Sequence, residues 1–134
     1  VWAIYQHQVT RGYWRELIDW HNRGLDWARE NSLRSDEATL LSNLGWAHGN
    51  MGRPAEALAL YEEALPIRRE VGDRAGEAAT LWNMATLLQQ QERLPEAVEQ
   101  VKAAIALFHD GLTHDAAGDT VEGYEDYLKR LQEY

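Results

Sequence analysis

Two asparagines forty residues apart, Asn43 and Asn83, each lie within one helical turn of a tryptophan, Trp46 and Trp82. A side-chain amide offers a donor and an acceptor together. It can therefore pair with both the N–H and the C=O of an extended peptide without reading its sequence. An indole adds a flat apolar shelf for a ligand side chain. At helical spacing Asn43, Trp46 and Asn50 share one face. Forty residues later the same stripe reads Asn83, Thr86 and Gln90, with Trp82 and Gln89 alongside. These eight residues are the candidate partner-binding set. Two placements are open for them. The indoles line a groove, or they pack between neighbouring helices while the asparagines tie backbone at the junctions.

The other reactive side chains do not assemble into a site. His7, His21 and His48 fall in slots of the repeat where aromatics would serve, so packing explains them. His109-Asp110 and His114-Asp115 straddle a glycine and read as a polar turn rather than a metal site. Glu56 and Glu96 recur in step, but at helix starts, where carboxylates favour the free amide end. No phosphate-cradling Gly-Lys loop, nucleophile elbow or His-Glu-x-x-His run occurs. The expectation is no enzyme, no cofactor and no metal.

Composition narrows the partners. The net charge is −9, and residues 112–134 hold six acidic groups against two basic ones. A binder of nucleic-acid backbone needs clustered Lys and Arg, so nucleic acid and anionic membrane are not expected partners. No apolar run reaches the roughly 20 residues of a membrane span. Cysteine is absent, which suits a reducing, cytoplasmic setting. The chain opens at Val1 inside an amphipathic run, as a piece excised from something longer would.

The elements that must position the asparagines repeat with a step of 40. Asn43-Leu44-Gly45-Trp46-Ala47 aligns with Asn83-Met84-Ala85-Thr86-Leu87, and Gly52-Arg53-Pro54-Ala55-Glu56-Ala57-Leu58 with Glu92-Arg93-Leu94-Pro95-Glu96-Ala97-Val98. A fixed step of this size means stacked helix pairs. Leu41, Leu44, Gly45 and His48 form the core stripe of a helix over 36–51, capped by Ser35 or Asp36. Ala57, Leu58, Tyr61, Ala64 and Leu65 face it from the next helix, whose end at Gly72-Asp73 also caps its successor. Leu81, Met84, Ala85 and Leu88, then Ala97, Val98, Val101, Ala104 and Ile105, repeat the plan. Gly45 and Ala85 let the paired axes close in on Ala57 and Ala64, or Ala97 and Ala104. Before this, a first helix ends near Thr10 and a partner runs from Tyr13 to Asn31, with Trp14 and Trp27 in its core and Trp20 either exposed or covered by an earlier repeat. Val121, Tyr124, Leu128 and Leu131 make the stripe of a last helix, with Glu125 in the slot of Gly45. The domain divides as 1–34 (first, incomplete repeat), 35–72, 73–111 and a capping helix in 112–134.

Leu44-Gly45 followed by Ala57, Tyr61 and Ala64 resembles the tetratricopeptide repeat, with a longer period, Leu41 and His48 where aromatics are usual, and no closing proline. The 40-residue form is similar to repeats of kinesin light chains and to the sensor arms of bacterial STAND-class signalling ATPases. The stretch from Ala64 to Ala78 is typical of bacterial examples. The resemblance implies an all-α, right-handed superhelical solenoid of antiparallel helix pairs, about three repeats plus a C-terminal cap. It implies a non-catalytic module that binds a peptide or protein partner on its concave face. In peptide-binding members, asparagines at this slot clamp ligand backbone, a role carried here to Asn43 and Asn83, since the first repeat has Ala3. The alternative is a structural arm of a larger bacterial signalling protein, self-associating through an exposed terminal helix.

Overall fold

Three-residue turns at a step of twenty set the architecture. Ser32, Gly52, Gly72 and Glu92 all adopt left-handed backbone, at φ 57°, 74°, 74° and 58°. In each turn the next amide reaches back five residues: Leu33 to Ala28, Arg53 to His48, Asp73 to Arg68 and Arg93 to Leu88, at 2.8–2.9 Å. This is the Schellman closure, which satisfies carbonyls left free at a helix end. Because these four turns share one geometry, each helix that follows one folds back on its predecessor in the same way.

The computed structural model describes the backbone of residues 2–133 and the side chains of residues 12–133. Among the described residues there are six helices and no strand: α1 (Trp2–Glu30), α2 (Arg34–Asn50), α3 (Pro54–Glu70), α4 (Arg74–Gln90), α5 (Leu94–His109) and α6 (Val121–Gln132). Each packs against the next in chain order, giving the all-α helical repeat that the forty-residue step implies. None is long and apolar enough to cross a membrane.

Several local expectations need correcting. The break between Thr10 and Tyr13 does not occur, because α1 runs unbroken for 29 residues. Gly12 sits inside it, and a glycine alone weakens a helix by about 1 kcal/mol without ending it when no stop signal follows. Neither Ser35 nor Asp36 caps α2. Leu33 holds that position with no side-chain cap, since the Schellman turn places the helix start two residues earlier. Asp73 does cap α4, accepting from the Gly76 amide at 2.9 Å.

The core falls into two contiguous clusters. Leu25, Ala38, Leu41, Leu44, Ala64 and Ile67 join α1, α2 and α3. A larger cluster runs from Ala57 and Tyr61 through Leu81, Met84, Val101 and Phe108 to Tyr124, Tyr127 and Leu131. Trp14 is half-buried, but Trp27 is 58% exposed, contrary to the core placement. Its equivalent forty residues on, Ile67, is 4% exposed because Ile67 packs into the cluster that α1 and α2 supply. The slot faces the preceding unit, and its burial depends on what lies there.

Ion pairs recur with the repeat as well. Arg29 meets Glu37 at 3.3 Å, and their counterparts Arg69 and Glu77 meet at 2.9 Å. The 110–120 segment is tied down by Arg74, which donates to the carbonyls of Leu107 and Asp110 and to the Asp110 carboxylate. Asp115, 3% exposed, accepts from the amides of Ala117 and Asp119 and from the Tyr124 hydroxyl. Its position in the His-Asp turn is thus accounted for by loop structure.

Candidate functional site

Glycine makes the hollow. Gly45 and Gly49 are one turn apart on α2, so that helix carries no side chain at two successive levels of the face turned to α3 and α4. A Cβ on Gly45 would stand 2.9 Å from Cε2 and Cζ of the Tyr61 ring, and one on Gly49 3.7 Å from the Leu87 side chain. The contact that needs glycine at 45 is therefore the Tyr61 ring rather than Ala57 or Ala64. The space left is a cavity of about 190 Å³ between α2 and α4, lined by Gly45, Trp46, Gly49, Asn50, Tyr61, Asn83, Thr86, Leu87 and Gln90.

Five of the eight sequence-derived candidates meet there: Trp46, Asn50, Asn83, Thr86 and Gln90. Trp46 is 55% exposed while standing edge-on to Trp14 at a ring separation of 5.1 Å. It serves both placements, packed on one side and open on the other. Asn50 donates through Nδ2 to the Trp46 carbonyl at 2.8 Å, which fixes the amide and leaves its oxygen for a ligand N–H. Thr86 donates its hydroxyl to the Trp82 carbonyl at 3.1 Å, so its oxygen lone pairs remain as acceptors. Asn83 is exposed at the cavity edge.

Three candidates lie elsewhere. Asn43 is exposed on α2 outside the cavity. Trp82 packs under α6, with ring separations of 4.7 Å to Tyr124 and 4.5 Å to Tyr127. Gln89 accepts the Tyr127 hydroxyl at 2.9 Å. These two hold the last helix in place. The equivalent of the groove one repeat on is thus covered by α6 itself, which is what a terminal helix must do for the apolar face below it.

Sequence reasoning missed Tyr61 as a site residue by counting it as core. It is both, 3% exposed yet lining the cavity. Burial pushes its phenol up to about 12, so the hydroxyl keeps its proton at neutral pH. The signal was available in the repeat: Gly45 and Tyr61 stand where Ala85 and Val101 stand one step later. Nearby on α2, His48 is held below the ordinary imidazole range, first by burial and then by Arg53, with Glu56 opposing. Its Nδ1 is buried without a hydrogen bond among the described residues, consistent with a neutral packing histidine. No group of three or more His, Cys, Asp or Glu side chains could hold a metal ion among the described residues.

The tetratricopeptide-repeat family profile matches residues 10–70 and again 36–110. The chain belongs to the tetratricopeptide-repeat (TPR) family. Among solved structures, it is similar to the nearly identical TPR-like repeats of a candidate kinesin light chain from Podosopora anserina, with a TM-score of 0.69 at 18% identity. That alignment covers 95% of this chain and 64% of the other, so this chain spans about two thirds of its length. At such identity the likeness speaks to the fold. No curated protein matched the sequence. Tetratricopeptide repeats generally mediate protein–protein interaction, and their fold is a repeat scaffold; this chain has that architecture.

Proposed function

We propose that this chain is a non-catalytic interaction module that holds an extended segment of a protein partner against the α2–α4 wall, in a cytoplasmic setting. The observation that carries the reading is the cavity itself, where the side chains of Asn50, Asn83, Thr86 and Gln90 and the open face of Trp46 share one hollow. The chemistry is uncharged, so the ligand is recognised through its backbone and one apolar side chain resting on Trp46. Three or four neutral hydrogen bonds at about 0.5–1.5 kcal/mol each, roughly 2–6 kcal/mol together, plus one indole contact, give weak binding, micromolar at the tightest once association entropy is subtracted. Binders selected from a display library of twelve-residue peptides against the native chain provide the test. They should lose roughly tenfold in affinity to Trp46→Ala and to Asn83→Ala, and little to Asn43→Ala. Equal affinities for all four proteins would remove the groove from the account.

A second reading, a self-associating arm of a larger bacterial signalling protein, is favoured by a different observation. Tyr13, Trp20 and Trp27 stand exposed along one side of α1. Sedimentation equilibrium over a concentration series tests it, and a monomer at every concentration counts against it.

A further inference from the structure

Tyr13, Trp20 and Trp27 are 58%, 71% and 58% exposed. Seven residues fall about 20° short of two full helical turns, so the three rings lie within an arc of about 40°, roughly 10 Å apart along the axis. The arc is separate from the buried side of α1, where Leu25 and Ala28 face the molecule. On α3 the equivalents of Trp20 and Trp27 are Leu60 and Ile67, and both pack into the cluster that includes Leu25 and Ile18 of α1. Within this molecule, then, a helix is what lies across this face.

The stripe is also symmetric. Tyr13 lies seven residues before Trp20 and Trp27 seven after, so reversing the helix leaves aromatic facing aromatic. We infer that α1 pairs with α1 of a second copy, antiparallel about a two-fold axis at Trp20, with Tyr13 of each copy against Trp27 of the other. This rests on the self-association reading and adds direction and register to it. The flanking charges agree. Glu16 and Arg23 lie on the same edge of the stripe, four residues before and three after Trp20. In the antiparallel arrangement Glu16 of one copy comes level with Arg23 of the other to within about 1.5 Å along the axis, and symmetry makes the pair twice. Arg23 is already held at that edge by Asp19 at 3.1 Å. α6, at the other end, offers no such stripe. Its exposed side carries Glu122, Glu125, Asp126, Lys129 and Arg130, so stacking through two α1 helices is favoured over head-to-tail growth.

The size is adequate for a weak dimer. Six rings of about 150–250 Å² each, some 60% uncovered, contribute roughly 600–900 Å². Flanking side chains bring this near the ~1,000 Å² at which specific interfaces begin. Sedimentation equilibrium should give a closed dimer with a dissociation constant in the range of tens of micromolar. Glu16→Arg, or Arg23→Glu, places like charges level twice per dimer and should weaken it about tenfold. The double variant Glu16→Arg/Arg23→Glu should recover to within a few-fold of the native chain, and mixing the two single variants should yield a heterodimer. Trp20→Glu, at an exposed position, should abolish pairing while circular dichroism shows an unchanged helix content. A strict monomer overturns both the geometry and the self-association reading. A dimer that ignores the reversals, fails to recover in the double variant, or grows into open chains overturns the geometry alone.

Discussion

Gly45→Ala is the perturbation with the most to say about how this repeat is built. The new methyl would sit 2.9 Å from two carbons of the Tyr61 ring, where ordinary carbon contacts are about 3.5–4.0 Å. Tyr61 is 3% exposed and packed on every side but the one that lines the hollow, so relief requires the ring to shift toward that hollow or α2 and α3 to separate by several tenths of an ångström. Overfilling a packed site costs about 1–3 kcal/mol. Alanine for glycine inside a helix returns about 0.8–1 kcal/mol. The expected net is a loss near 1 kcal/mol, or roughly 3–5 °C in Tm for a chain of this size. Gly12→Ala is the control, since nothing lies within 4 Å of its Cβ position, and it should gain the propensity alone. The difference between the two variants, about 1–3 kcal/mol by urea unfolding, isolates the ring contact. Tyr61→Val alone opens a cavity and should cost about 3 kcal/mol. Gly45→Ala/Tyr61→Val imports the Ala85 and Val101 pair of the next repeat and should be more stable than the sum of its parts by at least 1 kcal/mol. If Gly45→Ala proves as stabilising as Gly12→Ala, or the double variant shows simple additivity, the close-approach argument is wrong.

Other expectations follow from single positions. Glu92 occupies left-handed backbone at φ 58° where the equivalent turns at Gly52 and Gly72 use glycine. Glu92→Gly should therefore raise stability by about 0.5–1 kcal/mol, the αL strain removed less the entropy restored to the unfolded chain, whereas Gly52→Ala should lower it similarly; chemical denaturation measures both. His48 has a folded-state pKa below its unfolded value. It contributes stability that is full above about pH 6.5 and lost as the pH falls below that toward the folded-state pKa. Tm measured from pH 7.5 to 5 should therefore decline less in His48→Phe than in the native chain, and parallel profiles would remove His48 as a source of acid sensitivity. Tyr124→Phe deletes the phenol that Asp115 accepts, leaving that buried carboxylate the amides of Ala117 and Asp119. A loss of about 1–2 kcal/mol with loosened amide exchange over 115–120 is expected.

The repeat made the elements legible because it is written locally. Leu41, Leu44 and Leu81, Met84 recur at helical spacing, and Gly52 and Gly72 supply the left-handed residue that ends a helix. Ser32 and Glu92 fill the same turn slot without glycine's freedom, so their conformation could be inferred only by analogy with the other two. The unbroken α1 was not legible for the opposite reason. Gly12 is a weak breaker, and no left-handed turn follows it like those at Ser32, Gly52, Gly72 and Glu92.

What the sequence determined by itself is the succession of helix pairs, the face each turns inward, and the set of amides and indoles that share the remaining face. Those properties depend on residues three, four and seven apart, which a helix brings together whatever else is present. Which of those amides and indoles stay open to a hollow was decided only by the tertiary structure. Trp46 and Trp82 lie in neighbouring slots of successive repeats, yet one looks into an open hollow and the other is covered by Tyr124 and Tyr127. Likewise Ile67 is buried and Trp27 is not. In a stack, a slot's exposure is set by the neighbouring unit, and residues far apart in sequence decide whether that neighbour reaches across.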